Sequence, residues 1–442
     1  MGGVAIHATL LRNDDILIFQ YVEGAAGVDH TSWVGTWNWR TNTTMDAPFT
    51  YHRDIFCAGH NVLADGRLFI AGGHDHTTGK KQDPIGVAEA DIYDPVARTW
   101  TPVPPMEHKR WYPTNVGLPN GKTLIFGGQA SQNVKTHTVA EYDATTNTSR
   151  TLPASATKSM GLYPRMYLMA NGKILRCGPQ AGCLYFNRAT ESWSKAPKLL
   201  FGSRSRGTVA LLPGAQKVIT AGGGPNGNPT KTVEILDTAQ ATPKWRYTAP
   251  LTFARLLANS VVLPTGEVFV VGGGREFKYT DPVFVPELFN PTTETWSLMA
   301  PHQAGRMYHA TALLLPDGRV LCAGQDSGSL QKFGEIFSPP YLFRGARPTI
   351  SGAPASVSPG GTLQFTSPEA ADLATVALIR PGSCTHEINT DQRSVPLSFT
   401  VSGTTVTATA PTNVDLLPPG QYMLFAVDRR GVPAVAPWVH VG

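Results

Sequence analysis

The chain has 442 residues and a formal net charge of +5, with only 16% Asp, Glu, Lys and Arg but 44 glycines and 36 prolines. Its basic residues are scattered, and no run is dense enough to track a phosphate backbone, so nucleic acid is not an expected partner. No apolar stretch approaches the roughly 20 residues needed to cross a bilayer, and Met1-Gly2-Gly3-Val4 lacks the basic and apolar regions of a signal peptide; no membrane role is expected.

Short runs of Val, Ile, Thr and aromatic residues, broken by Asp65-Gly66, Asn120-Gly121 and Asp317-Gly318, predict an all-β chain of hairpins. In chain order a hairpin motif begins at His7 (HATLLRNDDILIF), Asn61 (NVLADGRLFIAGG), Thr114 (TNVGLPNGKTLIFGG) and Arg165 (RMYLMANGKILRCG). It returns at Gly207 (GTVALLPGAQKVITAGG), Asn259 (NSVVLPTGEVFVVGG) and His309 (HATALLLPDGRVLCAG). Between copies runs a second element, which ends on Trp100, Trp193, Trp245 or Trp296 in four of the repeats. The turn glycines Gly66, Gly121, Gly172, Gly214, Gly266 and Gly318 are separated by 55, 51, 42, 52 and 52 residues, close to the kelch period. Four strands per repeat and seven repeats predict a seven-bladed kelch-type β-propeller over residues 1–346. The first hairpin lies at the N-terminus, where it is expected to complete the blade begun at the other end and so protect its edges. After Phe343-Arg344-Gly345-Ala346-Arg347-Pro348 the period stops. Residues 347–442 then alternate as short strands with Pro- and Gly-rich turns, which predicts an immunoglobulin-like β-sandwich.

Five cysteines, Cys57, Cys177, Cys183, Cys322 and Cys384, are too few for a disulfide framework, and their odd number leaves one without an intrachain partner. Cys177 and Cys183 fit either a local disulfide or two reduced thiols.

One position in the repeat stands out. Nine residues before the turn glycine stand Cys57, Tyr112 and His309, with Tyr308 beside the last; the other blades put Tyr163, Ser205 and Leu257 there. A shared phase at the start of the inner strand places these residues at one end of the ring. Each alone reads as packing. Together, imidazole and phenolate oxygens suit a copper ion that changes oxidation state, whereas a structural zinc would want four closely spaced Cys or His.

The segments Asp54-Ile55-Phe56-Cys57-Ala58-Gly59, Lys109-Arg110-Trp111-Tyr112-Pro113, Gly305-Arg306-Met307-Tyr308-His309 with the ATALLLPDGRV that follows, and His386-Glu387-Ile388-Asn389 resemble the metal-site motifs of the copper-radical oxidases, the galactose oxidase and glyoxal oxidase family. Arg110-Trp111-Tyr112-Pro113 and the run from Gly161 through Tyr163 and Arg165 to Leu175 look closer to the glyoxal oxidase branch. The resemblance implies one copper ion bound by Tyr112, Tyr308, His309 and His386, the last carried by the sandwich. It also implies a self-derived cofactor in which Cys57 is joined by a thioether to Tyr112, the radical site, with Tyr308 as general base. Implied partners are a small aldehyde or primary alcohol and O2, which leaves as H2O2; a monomer is expected. The family suggests a secreted or extracytoplasmic setting. Tyr163, Arg165 and Trp111 are candidate substrate contacts, with an ordinary strand role as the alternative. For the aromatic that shields the radical, Tyr163, Trp37 and Trp39 are candidates, and Trp111 is expected to point elsewhere. The rival readings are a metal-free kelch-type scaffold for protein or glycan, and a hydrolase or lyase using another metal. The latter would want more carboxylates than Asp54, the one seen beside the proposed ligands.

Overall fold

The computed structural model describes residues 1–21, 32–49, 51, 54–75, 85–277, 279–326 and 331–442. All seven hairpin motifs are the inner strand pairs of seven blades arranged as a propeller. Helical structure among the described residues is limited to four single 3₁₀ turns, such as Pro340–Phe343. Blade 1 runs His7–Leu10, Asp15–Tyr21, Ser32–Asn38 and Thr43–Asp46, and blade 2 runs Gly59–Val62, Leu68–Ala71, Ala90–Asp94 and Thr99–Val103. Blades 3 to 6 repeat this four-stranded antiparallel order, with inner strands beginning at Thr114, Met166, Thr208 and Leu256. Blade 7 has three described strands, Ala310–Leu314, Val320–Gly324 and Glu335–Phe337.

The N-terminal hairpin does not complete the last blade, contrary to the sequence expectation; it is the inner pair of its own blade. The edge that it offers is filled instead from the far end of the chain. Ser383–Thr385 and Ile388–Asn389 form a hairpin that pairs with His7–Leu10 (His7 opposite Thr385, Thr9 opposite Ser383) and extends blade 1 to six strands. An edge strand presents unpaired N–H and C=O groups, and this pairing satisfies them.

The repeat signature has physical content. Each blade-ending tryptophan donates its indole N–H to a carbonyl of the preceding repeat: Trp100 to Ala47, Trp193 to Ala156, Trp245 to Pro197 and Trp296 to Ala249. Buried arginines clamp the same blades. Arg204, Arg255 and Arg306 each hold a glycine carbonyl, at Gly222, Gly272 and Gly324, and a carboxylate, at Glu234, Glu287 and Glu335.

Residues 356–441 form a seven-stranded sheet assembly of immunoglobulin-like type. Its strands Leu373–Arg380 and Gly420–Asp428 are buried on both faces, which accounts for their near-continuous apolar sequence. Val376, Leu378, Tyr422 and Leu424 face the sandwich core, while Ala377, Ile379, Met423 and Phe425 pack against Leu313, Leu315 and Tyr341 of the propeller. Burying a side chain the size of Ile379, Met423 or Phe425 contributes about 1.5–3 kcal/mol, so these three hold the hairpin's parent domain firmly on the ring.

Candidate metal centre

Six of the seven inner strands are entered through a residue in the left-handed region: Cys57 (φ 64°), Tyr112 (61°), Tyr163 (44°), Arg206 (58°), Leu257 (66°) and His309 (65°). None is glycine, and left-handed backbone costs an ordinary residue roughly 1–2 kcal/mol. Hydrogen bonds between blades offset this. The Tyr112 N–H donates to the Cys57 carbonyl at 2.9 Å, that of Tyr163 to Tyr112 at 2.8 Å, and that of Leu257 to Arg206 at 2.8 Å. Gly324 closes behind His309, where a Cβ would lie 2.4 Å from the His309 carbonyl oxygen.

Two sequence expectations are corrected by this geometry. In blade 5 the turn position is Ala215, whose N–H returns to Leu212 as the turn glycines do elsewhere; the residue at the shared phase is therefore Arg206 and not Ser205. Trp111 does not point elsewhere: its indole stacks on Tyr112 with centroids 3.9 Å apart and planes 14° apart. Neighbours in a strand point to opposite faces, but a left-handed residue breaks the alternation. The same break stacks Tyr308 on His309 at 3.8 Å. Tyr163 also stacks on Tyr112, at 4.5 Å, and donates its hydroxyl to the Ala58 carbonyl. Trp37 and Trp39 lie in the large core cluster with Leu313 and Phe425, away from Tyr112, and serve packing.

His386 arrives from the sandwich. Thr385 pairs with Ile388, so His386 and Glu387 form the two-residue tip of the inserted hairpin, with φ of 46° and 64°. Two positive φ values match a type I′ turn, normally the preserve of Asn and Gly; two larger side chains there indicate strain kept for a site.

The structure brings Cys57, Tyr112, Tyr308, His309 and His386 together. The Tyr112 and Tyr308 hydroxyls are 2.6 Å apart. The His309 and His386 rings lie 4.5 Å apart, and His386 meets Tyr112 edge-on at 4.6 Å. Cys57 is fully buried against Tyr112 in one cluster with Phe56 and Tyr163. Both imidazole tautomers follow from their partners. His309 Nδ1 faces Asp326 Oδ2 at 2.6 Å, and a carboxylate only accepts, so Nδ1 carries the hydrogen. Thr385 spends its hydroxyl hydrogen on the Ile6 carbonyl and so accepts from His386 Nδ1 at 2.6 Å. Each ring is thereby left with a bare Nε2, and both Nε2 atoms are buried without a hydrogen-bond partner among the described residues.

Burial holds His386 neutral, lowering its pKa well below the usual value, helped by His309 and His7. Burial raises the Tyr112 hydroxyl and the Cys57 thiol well above their ordinary values. Tyr308 is raised too, first by burial. Burial thus keeps the two phenols and the thiol protonated and leaves His386 a neutral ring. Two unpartnered imidazole nitrogens beside two phenol oxygens form an N2O2 donor set suited to copper. Among the described residues no three His, Cys, Asp or Glu converge on one point.

Sequence reasoning missed the supporting shell. Asp326 orients His309 and accepts from Tyr279 at 2.5 Å and Tyr21 at 3.3 Å; burial raises its carboxyl, but these donors outweigh that and hold it below its usual range. Asp54, the carboxylate the sequence singled out, instead binds Ser32 and the Phe56 N–H. His7 Nε2 accepts the Cys57 N–H at 3.0 Å, and the His-Ala-Thr that opens both the first and last motifs was its one signal. Tyr163 and Arg165 do reach the site. With Tyr112, Arg206, His386 and Glu387 they line a cavity of about 250 Å³. Cys177 and Cys183 are both free thiols in one buried cluster.

A family model of the glyoxal oxidase N-terminus matches residues 23–341, and one of the galactose oxidase-like early set domain matches 347–441. The chain is 28% identical, over 92% of its length, to a galactose oxidase of Gibberella zeae, of which it spans 64%. It is 30% identical, over 90% of its length, to an aldehyde oxidase GLOX of Vitis pseudoreticulata, of which it spans 84%. A solved fungal alcohol oxidase of the AA5 family, in complex with copper, superposes on 100% of the chain and 98% of its own, with a TM-score of 0.87 at 27% identity.

Proposed function

Since the chain belongs to the glyoxal oxidase and galactose oxidase family, we propose that it is a copper-dependent oxidase of small aldehydes or primary alcohols that reduces O2 to H2O2. The observation that carries this reading is the pair of bare, buried Nε2 atoms on His309 and His386 beside the Tyr112 and Tyr308 hydroxyls. Tyr112, Tyr308, His309 and His386 would hold the metal, and Cys57 would be linked through sulfur to the Tyr112 ring. Bound copper and the cross-linked tyrosine would together supply two one-electron oxidising equivalents, enough for one carbonyl.

The chain's own groups do the rest. Tyr308 Oη, half-buried and hydrogen-bonded to Tyr112 Oη, would serve as general base for the substrate hydroxyl in its phenolate form, which a bound metal ion would stabilise. Trp111 and Tyr163, stacked on Tyr112, exclude water from its ring. His7 and Asp326 fix Cys57 and His309 from behind. An aldehyde reacts as its hydrate: RCH(OH)2 and O2 give RCO2H and H2O2. In this reading residues 1–346 form the propeller unit and 347–442 the sandwich that lends His386, and the protein works as a monomer on a small molecule and O2.

The test is aerobic copper loading followed by intact-mass and peptide analysis. The expected product is lighter by two hydrogens, with the Cys57 and Tyr112 peptides joined. Copper-saturated protein in which both peptides stay separate would overturn the mechanism.

A further inference from the structure

We infer that Arg206 makes this cavity an anion-reading site, and that the favoured substrates are small aldehydes carrying a carboxylate at the end away from the reacting carbon. The inference rests on the oxidase reading and names its substrate class. Arg206 lines the cavity together with Tyr112 and His386. Its guanidinium lies over the faces of Phe277 at 3.9 Å and Tyr308 at 5.1 Å. Such stacking pins the plane of the group while leaving its edge N–H donors unused, and among the described residues the Arg206 side chain has no hydrogen bond or ion pair; only its backbone carbonyl is engaged, by Leu257.

The second arginine of the cavity differs. Arg165 spends both Nη groups, on the Tyr163 and Gly207 carbonyls and on Glu387 Oε2 at 3.3 Å, and keeps only a buried Nε without a partner among the described residues. The three charged groups of the lining, two arginines and one glutamate, sum to one positive charge, and the unspent one is Arg206. A monoanion matches that balance, and the planar fork of a guanidinium matches a carboxylate. Glu387 supplies an independent sign of a ligand: it is buried, it lines the same cavity, and its Oε1 has no hydrogen-bond partner among the described residues. A hydrated aldehyde brings the hydroxyl donor that this oxygen lacks, while its carboxylate reaches Arg206. The residue sits at the phase that holds Cys57, Tyr112 and His309 in other blades, so the backbone that aims those side chains at the channel also aims Arg206.

The probes are succinate semialdehyde, its uncharged counterpart butanal, and succinate as a non-oxidisable ligand. For the copper-loaded wild type, kcat/KM for the semialdehyde should exceed that for butanal at least tenfold, since a hydrogen bond to a charged group is worth about a ten- to hundredfold effect. Arg206→Met keeps the stem over Phe277 and should remove most of that ratio; Arg206→Lys should retain the larger part. Calorimetry on copper-free protein should show succinate binding to the wild type and Arg206→Lys but at least tenfold more weakly to Arg206→Met. Equal use of both aldehydes with no succinate binding overturns the inference and leaves the oxidase reading standing. Succinate binding that Arg206→Met abolishes, with neither aldehyde oxidised, supports the anion site and overturns the oxidase. Should Arg206→Met fail to fold, the wild-type ratio and the wild-type succinate titration decide alone.

Discussion

Blades 6 and 7 present the same backbone to the channel and opposite chemistry. Leu257 and His309 have φ of 66° and 65° and stand at the same point of the repeat. Leu257 is fully buried among Leu256, Met307 and Tyr308, whereas His309 keeps a bare nitrogen and a carboxylate behind it. The repeat therefore supplies a socket, and what fills the socket is decided blade by blade. Strain is a property of the ring and function a property of its occupants.

Four experiments break or sharpen that comparison, taken from the largest expected effect down. His309→Leu gives blade 7 the side chain of blade 6; it should keep the fold and weaken copper binding by more than about 100-fold, beyond the effect of losing an outer-shell group, as read by metal content after dialysis. Asp326→Asn keeps the ring but replaces its carboxylate, and should cost about 10–100-fold in copper affinity, measured by competition with a chelator. The reverse exchange, Leu257→His, buries an imidazole with no partner and should lower stability by about 1–3 kcal/mol in denaturant unfolding. The smallest effect per unit of the variable changed is read in pH. Burial lowers the His60 pKa to about 3, whereas the unfolded value is near 6.5. The unfolded chain then binds a proton that the folded one refuses, so stability falls as pH drops below about 6.5 and continues to fall toward 3. The slope is at most about 1.4 kcal/mol per pH unit for this one group, and His60→Phe should flatten it in a series of unfolding curves.

Much of this was legible in the sequence, for definite reasons. The seven hairpins show because each needs a turn residue with positive φ and an apolar strand on either side, so Gly66, Gly121 and Gly318 act as rulers. Counting back from them found Cys57, Tyr112 and His309 because the inner strand keeps its length. The ruler failed in blade 5, where Ala215 takes the glycine's place, and the error of one residue hid Arg206 behind Ser205. Trp111 was misread because alternation holds only for extended backbone, and nothing in Arg110-Trp111-Tyr112-Pro113 announces a left-handed tyrosine. Asp326 carries no motif; it reaches His309 only through the return of the second strand of blade 7. His386 was visible only through its likeness to a family, since its hairpin belongs to one domain and its partners to another.

That hairpin has a consequence for how the molecule is made. His7 pairs with Thr385 and Thr9 with Ser383, contacts between the first few residues and a segment near the end of the chain. Contacts of such sequence separation form late, because the long loop must be closed before they are rewarded. The propeller can gather Tyr112, Tyr308 and His309 while the sandwich is still unfolded, but in the copper-oxidase reading the fourth donor, His386, is delivered only when the last domain docks. Copper that arrived before that moment would meet three ligands and an open mouth. On the proposed reading, docking of the sandwich is thus the step that completes the donor set, and it does so through the strand of blade 1 that the rest of the propeller leaves unpaired.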